Sequence, residues 1–402
     1  MDLQSPETFV SLFLEIRKKT QSGHLILGGA GIKLSNVAVS VVTPSSLQLK
    51  VAEHVQNIEL PEGVRIVPSS CQKLQHFAAD NLCLRFQVHT ENNAEFSPTV
   101  LESMRAQKRY TFYCQSCKEV IISQWEFIRV LPLPSGGWND VVGEWCCHPD
   151  PFAGRKLLPR ENDCLLGDTF LLVESGSFCD SVIWEPRTDL KKDKSLPTDV
   201  IGSISKGKEN TTIFCKHCKS ILGEAASQET AKLYITELII LPAFEEISKI
   251  ELDHRSQFVE SFVARRLAEL SDAKSIFRFS LEGLEGTVFA LLWLLNSDTL
   301  LVGCFRNLTC DSISNVAGEN TLNSSQQTSY EARSAVKVLY QPCVQNENGN
   351  VINIWENDIG VHSLTLPTQT CSEVLQILSS STLSLPSSLR SMNSFQVAFL
   401  RL

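Results

Sequence analysis

The chain has 402 residues, of which 43% are hydrophobic, and its formal net charge is −9 at pH 7. This composition predicts a globular protein of two domains, and the acidic balance excludes a nucleic-acid scaffold, which needs a basic face to displace counterions from phosphates. The strongest apolar run, residues 288–295, is far shorter than the roughly 20 residues that span a bilayer, so it predicts a buried strand and no membrane anchor.

The fourteen cysteines bear on the compartment of the protein. The start of the sequence lacks the basic and apolar regions of a secretory signal, so we expect reduced thiols in an intracellular protein. The expected location is the cytoplasm, with the nucleus as a second compartment.

The first hundred residues predict one helix followed by β structure. Residues 6–19 place apolar side chains close to i, i+3, i+4 and i+7 spacing, which is typical of an amphipathic helix. Short β-branched or alternating segments then follow, separated by Pro, Asn, Gly and Ser, and this pattern indicates antiparallel strands. These segments are residues 37–42, 46–51, 63–67 and 82–88.

Two stretches, residues 112–121 and 214–222, look like two copies of one motif. Each has an aromatic residue, a Cys-x-x-Cys pair, a lysine directly after the second cysteine and a β-prone exit, which is typical of a metal knuckle at a hairpin tip. One knuckle supplies two thiolates, so the pair predicts one closed, structural zinc site. The alternative is four buried free thiols. The predicted ligands are Cys114, Cys117, Cys215 and Cys218.

Between the knuckles lies a loop rich in proline and tryptophan. Because these residues make a loop stiff, we expect it to project from the surface. A closed four-cysteine zinc site has no place for the two cysteines of this loop. The alternative is that both pack as small hydrophobic residues and that the histidine only begins a turn. The run at its centre is Trp145, Cys146, Cys147, His148, Pro149 and Asp150.

The second half predicts mixed structure. Pro242 marks the predicted boundary between a β-rich domain, residues 1–241, and an α+β domain, residues 242–402. Helical periodicity returns over residues 253–270, with Asp253 as the N-cap, and residues 372–380 predict a short helix. The fold class is therefore α+β, with predominantly antiparallel β structure and a zinc-knuckle pair in the N-terminal half. Further strands are predicted over residues 233–240, 275–281, 287–295, 300–305, 336–340, 361–366 and 394–402.

Several sequence blocks together carry a resemblance to a known family. They are residues 112–117, 130–134, 143–152, 161–164, 291–298, 336–343, 355–358 and 393–399. With these blocks the chain resembles the type D ubiquitin-protein ligases, HECT-like proteins that bind ubiquitin-conjugating enzymes (E2). The resemblance implies an E3 enzyme that accepts ubiquitin from an E2 and transfers it to protein substrates. It also implies inhibition of the metallo-β-lactamase-fold endonuclease that cuts pre-mRNA before polyadenylation.

The resemblance also implies a catalytic residue. In HECT ligases the thioester cysteine follows a Leu-Pro-x-x-Thr sequence, and residues 366–371 read Leu-Pro-Thr-Gln-Thr-Cys. Cys371 is therefore the implied nucleophile, within a HECT-like segment over residues 366–402. The next Leu-Pro, at Leu385, lies further away than in the HECT pattern. On physical grounds alone, Cys371 also fits a core cysteine near a helix start.

Partner contacts are implied in the same way. The E2-binding segment corresponds to residues 241–266, where Phe244, Phe258 and Phe262 are the implied contacts, although core packing explains an apolar helix face equally well. Another partner of nucleases of this fold inserts a cysteine loop into the active site, so Cys147 is implied to ligate the zinc of the endonuclease. The competing hypothesis for the whole chain is a non-enzymatic inhibitor or assembly chaperone of that nuclease, without thioester chemistry.

Overall fold

The computed structural model describes residues 11–28, 37–51, 54–77, 81–91, 104–133, 157–186, 211–245, 247, 254–303, 329–343 and 349–402. These residues form mostly antiparallel strands and three α-helices, so the fold is α+β. None of the helices in these ranges is long and apolar enough to cross a membrane. The helices are α1 (Arg255–Lys274), α2 (Gly349–Glu356) and α3 (Thr368–Ser384).

The strands of the described ranges follow in chain order. The first ten are β1 (Ser11–Arg17), β2 (Ser22–Gly28), β3 (Val37–Thr43), β4 (Ser46–Val51), β5 (His54–Glu59), β6 (Val64–Ile66), β7 (Gln75–Phe77), β8 (Asn81–Thr90), β9 (Lys108–Cys114) and β10 (Val120–Phe127). The next eight are β11 (Arg129–Pro132), β12 (Asp163–Leu166), β13 (Phe170–Glu174), β14 (Val182–Pro186), β15 (Thr211–Cys215), β16 (Ile221–Ala225), β17 (Thr230–Tyr234) and β18 (Leu238–Pro242). The remainder are β19 (Arg278–Gly283), β20 (Val288–Gly303), β21 (Ser329–Glu331), β22 (Arg333–Pro342), β23 (Val361–Leu366), β24 (Ser391–Met392) and β25 (Phe395–Arg401).

The largest sheet in the described part of the chain has eleven strands. Its main path runs β24-β25-β22-β20-β1-β2-β8-β6, and β7, β19 and β23 join beside it. Strand β1 pairs antiparallel with both β2 and β20. This sheet therefore contains strands from both sides of the predicted domain boundary at residues 241–242.

The helix predicted over residues 6–19 is wrong for residues 11–17, which form β1. Leu14 and Ile16 pack into one buried cluster, and Phe13 packs into a second cluster on the opposite face of the strand. Glu15 is also buried and pairs with Lys337, whose Nζ lies 3.0 Å from its carboxylate. Because a central strand covered on both faces has apolar residues at nearly every position, its pattern imitates a helix.

Helices α1 and α3 pack against each other and against β25 of the large sheet. The predicted helix over residues 253–270 is present as α1, but its N-cap is His254 and not Asp253 as predicted. The predicted short helix over residues 372–380 is the middle of α3. Helix α1 ends where Ser275 adopts a left-handed conformation with φ of 56°, a common helix stop. Hydrogen bonds from Arg255 and Ser256 to Glu373 hold the starts of α1 and α3 together.

Three smaller sheets complete the described structure. They have the orders β10-β9-β18, β11-β12-β13-β17-β16-β15-β14 and β21-β5-β4-β3. The hairpin β9–β10 belongs to the three-stranded sheet, and the hairpin β15–β16 belongs to the seven-stranded sheet. The two Cys-x-x-Cys turns therefore come from different sheets.

Candidate functional site

Two hairpin turns present the predicted zinc ligands with the same backbone geometry. In the first turn, Lys118 donates its N–H to Cys114 O at 2.9 Å and has a φ of 66°. In the second turn, Lys219 donates its N–H to Cys215 O at 2.9 Å and has a φ of 63°. The lysine after the second cysteine thus closes each turn in a left-handed conformation, as expected for two copies of one motif.

The tips of these turns bring four sulfur atoms together. Cys114 Sγ lies 3.6 Å from Cys218 Sγ, and Cys117 Sγ lies 3.6 Å from Cys215 Sγ. All four sulfur atoms lie within 4.8 Å of one another. Since a tetrahedral ion with Zn–S bonds of about 2.3 Å separates its ligands by about 3.8 Å, this spacing fits one metal ion. A set of four cysteines leaves no open position for a substrate, so such an ion would be structural.

Burial acts on the protonation of three of these thiols, those of Cys114, Cys117 and Cys218. It raises the pKa of the Cys114 thiol far above its usual range and that of Cys117 to about 11. Burial also raises the pKa of Cys218, but hydrogen bonds with Ser220 and the neighbouring cysteines outweigh it and bring the pKa to about 6. A metal binds thiolates, so it must displace protons from Cys114 and Cys117 when it enters.

The cluster lies where the two sheets meet. Ser220 Oγ donates to Ser116 Oγ at 3.0 Å from one turn to the other. Lys216 N–H donates to Ser181 O at 2.7 Å, and the Ser181 hydroxyl donates to Val120 O. A metal held here would therefore cross-link two sheets whose cysteines are about a hundred residues apart in the sequence, 98 and 104 for the two closest pairs.

Cys371, the predicted nucleophile, lies in the first turn of α3 and has an exposed fraction of 0%. Its thiol donates to Glu282 O at 3.3 Å and lies 3.6 Å from Leu366 O. Burial raises the pKa of this thiol to about 12. In this closed arrangement the sulfur is protonated and out of reach of another protein.

One feature of the surroundings of Cys371 favours an anion, namely its position in the first turn of a helix, whereas the nearby Glu282 carboxylate opposes it. Strands β19 and β23 run parallel, and their last residues, Gly283 and Leu366, are paired beside the first turn of α3. Cys371 donates its own N–H to Pro367 O at 2.9 Å, within that turn. The N-terminus of a helix stabilises negative charge and lowers the pKa of a cysteine that solvent can reach.

A buried ionic network beside this turn was missed in the sequence. Arg255 donates to both Glu237 carboxylate oxygens at 2.9 Å and to Glu373 Oε2 at 3.0 Å. Thr370 donates its hydroxyl to Glu237 Oε1 at 2.7 Å, and Ser256 donates to Glu373 Oε1 at 2.8 Å. Arg255 is the first residue of α1, but no spacing rule identifies partners that are 18 to 118 residues away.

The three phenylalanines implied to bind the E2 have different environments. Phe244 follows β18 and is 83% exposed. Phe258 is partly buried against the main core, Phe262 is 8% exposed, and their rings stack with centroids 6.4 Å apart. Of these three residues, the structure presents only Phe244 to a partner.

The run from Trp145 to Asp150, which includes Cys146, Cys147, His148 and Pro149, lies outside the described residues. The nearest described residues on either side of it include exposed leucines, namely Leu131 before the loop and Leu157 and Leu158 after it.

Comparisons with known proteins agree with the sequence resemblance. The family model of HECT-like ubiquitin-conjugating enzyme (E2)-binding proteins matches residues 15–397. The chain is 46% identical over 397 residues to an E3 ubiquitin-protein ligase of Pongo abelii, covering 97% of this chain and 98% of that protein. It is 44% identical over 402 residues to the Mus musculus protein of the same name, covering 100% of both, and 45% identical over 397 residues to the Homo sapiens protein, covering 97% and 98%. No solved structure matches significantly. The chain belongs to the HECT-like E2-binding family.

Proposed function

We propose that this chain is a ubiquitin ligase that docks a charged E2 at the surface around Phe244 and receives ubiquitin on Cys371. Membership of an E2-binding family and the full-length similarity to proteins named ubiquitin ligases support this proposal. The observation that carries it is the position of Cys371 in the first turn of a helix, at the ends of two parallel strands. The described arrangement corresponds to a closed state of that site.

The transfer proposed for Cys371 is a thioester exchange. The Cys371 thiolate attacks the carbonyl carbon of the E2–ubiquitin thioester, a new carbon–sulfur bond forms, and the E2 thiolate leaves. A substrate amine then attacks the new thioester and releases Cys371. Because the thiol is buried in the closed state, the first turn of α3 must open before the exchange.

The docking step is tested by replacing Phe244 with alanine. Phe244 is exposed, and an aromatic residue at the centre of an interface commonly contributes about 2 kcal/mol, so we expect E2 affinity to fall by about thirtyfold. The control is Phe277→Ala, which removes a phenylalanine that is 48% exposed and follows α1 instead of β18. The measurement is calorimetric titration of each variant with the E2. Equal affinity for the wild type and Phe244→Ala would exclude this surface.

We also propose that the four-cysteine cluster holds one zinc ion. Soft thiolates favour zinc, and the spacing of the sulfur atoms supports a tetrahedral site. The role of the ion is to join the two sheets that contribute the hairpins, and it takes no part in the transfer reaction.

A second candidate function is inhibition of the polyadenylation endonuclease by Cys147. Sequence resemblance supports it, and three exposed leucines, Leu131, Leu157 and Leu158, flank the loop in the sequence. This role needs no thioester chemistry, so it also accommodates the competing hypothesis of an inhibitor or assembly chaperone. Localisation in the cytoplasm and nucleus, where such partners would be met, stays a proposal.

The inhibitory role predicts that Cys147→Ser restores activity to the purified nuclease. A neutral hydroxyl is a much poorer zinc ligand than a thiolate, so we expect inhibition to weaken by at least about tenfold. The neighbouring change Cys146→Ser is the control and should leave inhibition intact. A cleavage assay with a short RNA substrate measures both variants. Equal inhibition by Cys147→Ser and the wild type would remove the metal-ligand role.

A further inference from the structure

The ionic network around Arg255 connects the cysteine cluster to the helix turn that contains Cys371. At one end, Gln115 lies within the first Cys-x-x-Cys turn and donates its N–H to Glu237 O at 2.9 Å. Leu238, the residue after Glu237, is paired directly with the ligand Cys114 in the sheet. The position of the Glu237 backbone is therefore set by the first knuckle.

At the other end, the Glu237 side chain holds the first turn of α3. Its carboxylate accepts hydrogen bonds from Thr370 at 2.7 Å and from Arg255 at 2.9 Å, and Arg255 also donates to Thr370 Oγ1 at 3.0 Å. Thr370 is the residue before Cys371 and is itself fully buried. Any movement that separates Thr370 from Glu237 must therefore loosen the turn that covers Cys371.

The turn is well placed to have two states. Helix ends open locally at much lower cost than the core of a domain. Two side chains near the start of α3, Thr370 and Glu373, both contact Arg255. Losing these contacts leaves charged groups without partners, so the closed state holds only while Glu237 and Arg255 keep their positions.

We propose that metal occupancy of the four-cysteine cluster controls the exposure of Cys371 through Glu237, Arg255 and Thr370. With the metal bound, the first knuckle fixes Glu237, and the turn stays closed. With the metal absent, only hydrogen bonds such as Ser220–Ser116 join the knuckle to the second hairpin, so Glu237 can shift and the turn can open. A metal can bias such an equilibrium only if it binds the two states differently, and the Gln115–Glu237 hydrogen bond and the Leu238–Cys114 pairing are the contacts that connect the metal site to Glu237. The inference rests on the proposed zinc binding.

The test measures the reactivity of Cys371 in the full-length chain. Protein loaded with zinc and protein stripped by a chelator are treated with N-ethylmaleimide, and mass spectrometry follows the rate at each cysteine. We expect zinc removal to accelerate modification of Cys371 by at least about tenfold. Cys164, which is fully buried elsewhere in the core, should stay unreactive. An unchanged Cys371 rate overturns the inference, and so does an equal rise at Cys164, since that indicates general unfolding.

Glu237→Gln tests the route itself. This variant should keep its zinc, but Cys371 should react rapidly whether or not zinc is present. Glu260→Gln is the matched control, because Glu260 is an equally buried carboxylate, 6% exposed like Glu237, and pairs with Arg401 instead. Retained zinc dependence in Glu237→Gln overturns the inference.

Substitutions of Thr370, at the start of α3, test the same route independently if Glu237→Gln does not fold. Thr370→Val removes the hydroxyl that bonds Glu237 and should speed Cys371 modification, whereas Thr370→Ser keeps the hydroxyl and should remain slow. Identical rates in the two variants overturn the proposed route.

Zinc content is measured separately: a wild-type chain that binds no zinc overturns the zinc proposal and this inference together. E2 affinity, which depends on Phe244, is unaffected by either result.

Discussion

Replacing Cys114 with serine is expected to remove zinc from the chain and to lower the free energy of unfolding by about 4 kcal/mol, because the binding energy of a structural zinc ion is folding energy. Cys114 is fully buried, and its sulfur is 3.6 Å from that of Cys218, so no solvent or neighbouring ligand can replace it. A hydroxyl at this position binds zinc poorly, and the three remaining cysteines cannot complete a tetrahedral site. Urea unfolding and the zinc content of the purified protein measure the two effects.

The control for this change is Cys179→Ser. Cys179 is a half-buried cysteine that lies near the same hairpin, where its N–H donates to Ile121 O at 2.9 Å, but it is not part of the four-cysteine cluster. Because this contact comes from the backbone, serine can keep it, and we expect a cost below about 1 kcal/mol with zinc retained. If Cys114→Ser binds as much zinc as Cys179→Ser, the cluster is only a group of buried thiols.

The cysteine cluster could be predicted from the sequence because its information is local. Each turn needs two cysteines at a fixed spacing and a residue that closes the hairpin, and all of these lie within a few residues of one another, as at Cys114, Cys117 and Lys118. The sequence pairs two such turns because one knuckle cannot complete a tetrahedral site. Only the folded chain shows that the sulfur atoms of both turns converge.

Features that depend on long-range packing could not be predicted in this way. Strand β1 reads as a helix because the sequence does not show that sheet neighbours cover both of its faces. The sequence does not distinguish Phe244, Phe258 and Phe262. In the structure, Phe244 is exposed, Phe262 lies in the core and Phe258 packs against it. Their environments follow from where the chain turns after β18, which is a property of the assembled sheet.

The same limit applies to Cys371. The sequence context places it near a helix start, and the structure agrees, but the sequence does not show that the thiol is sealed beneath Glu282 and Leu366. Burial raises the pKa of this thiol, so at neutral pH the closed state contains almost no thiolate. A nucleophilic role therefore depends on a conformational change, and the chemical test must detect rare opening events.

Cys371→Ala is expected to abolish the ubiquitin adduct that forms when the ligase is mixed with a charged E2, because the substitution removes the sulfur that accepts the acyl group. The alanine side chain is smaller and leaves a small cavity. We expect the first turn of α3 to stay folded, at a cost of about 1 to 2 kcal/mol in the free energy of unfolding. Cys343→Ala is the control, since Cys343 is a partly buried cysteine outside the cluster and should leave the adduct intact. Gel electrophoresis with and without a thiol reductant measures the adduct.

Cys371→Ser separates the chemistry from the structure. A serine in an opened turn attacks the same thioester carbonyl and forms an oxygen ester, which resists thiol reductants but is cleaved by mild base. We therefore expect a reducible adduct on the wild type, a reductant-resistant adduct on Cys371→Ser and none on Cys371→Ala. The serine adduct should form slowly, because a hydroxyl without an adjacent base is a weak nucleophile. If Cys371→Ala instead keeps full ligase activity, ubiquitin passes directly from the E2 to the substrate, and Cys371 is a core residue that secures the start of α3.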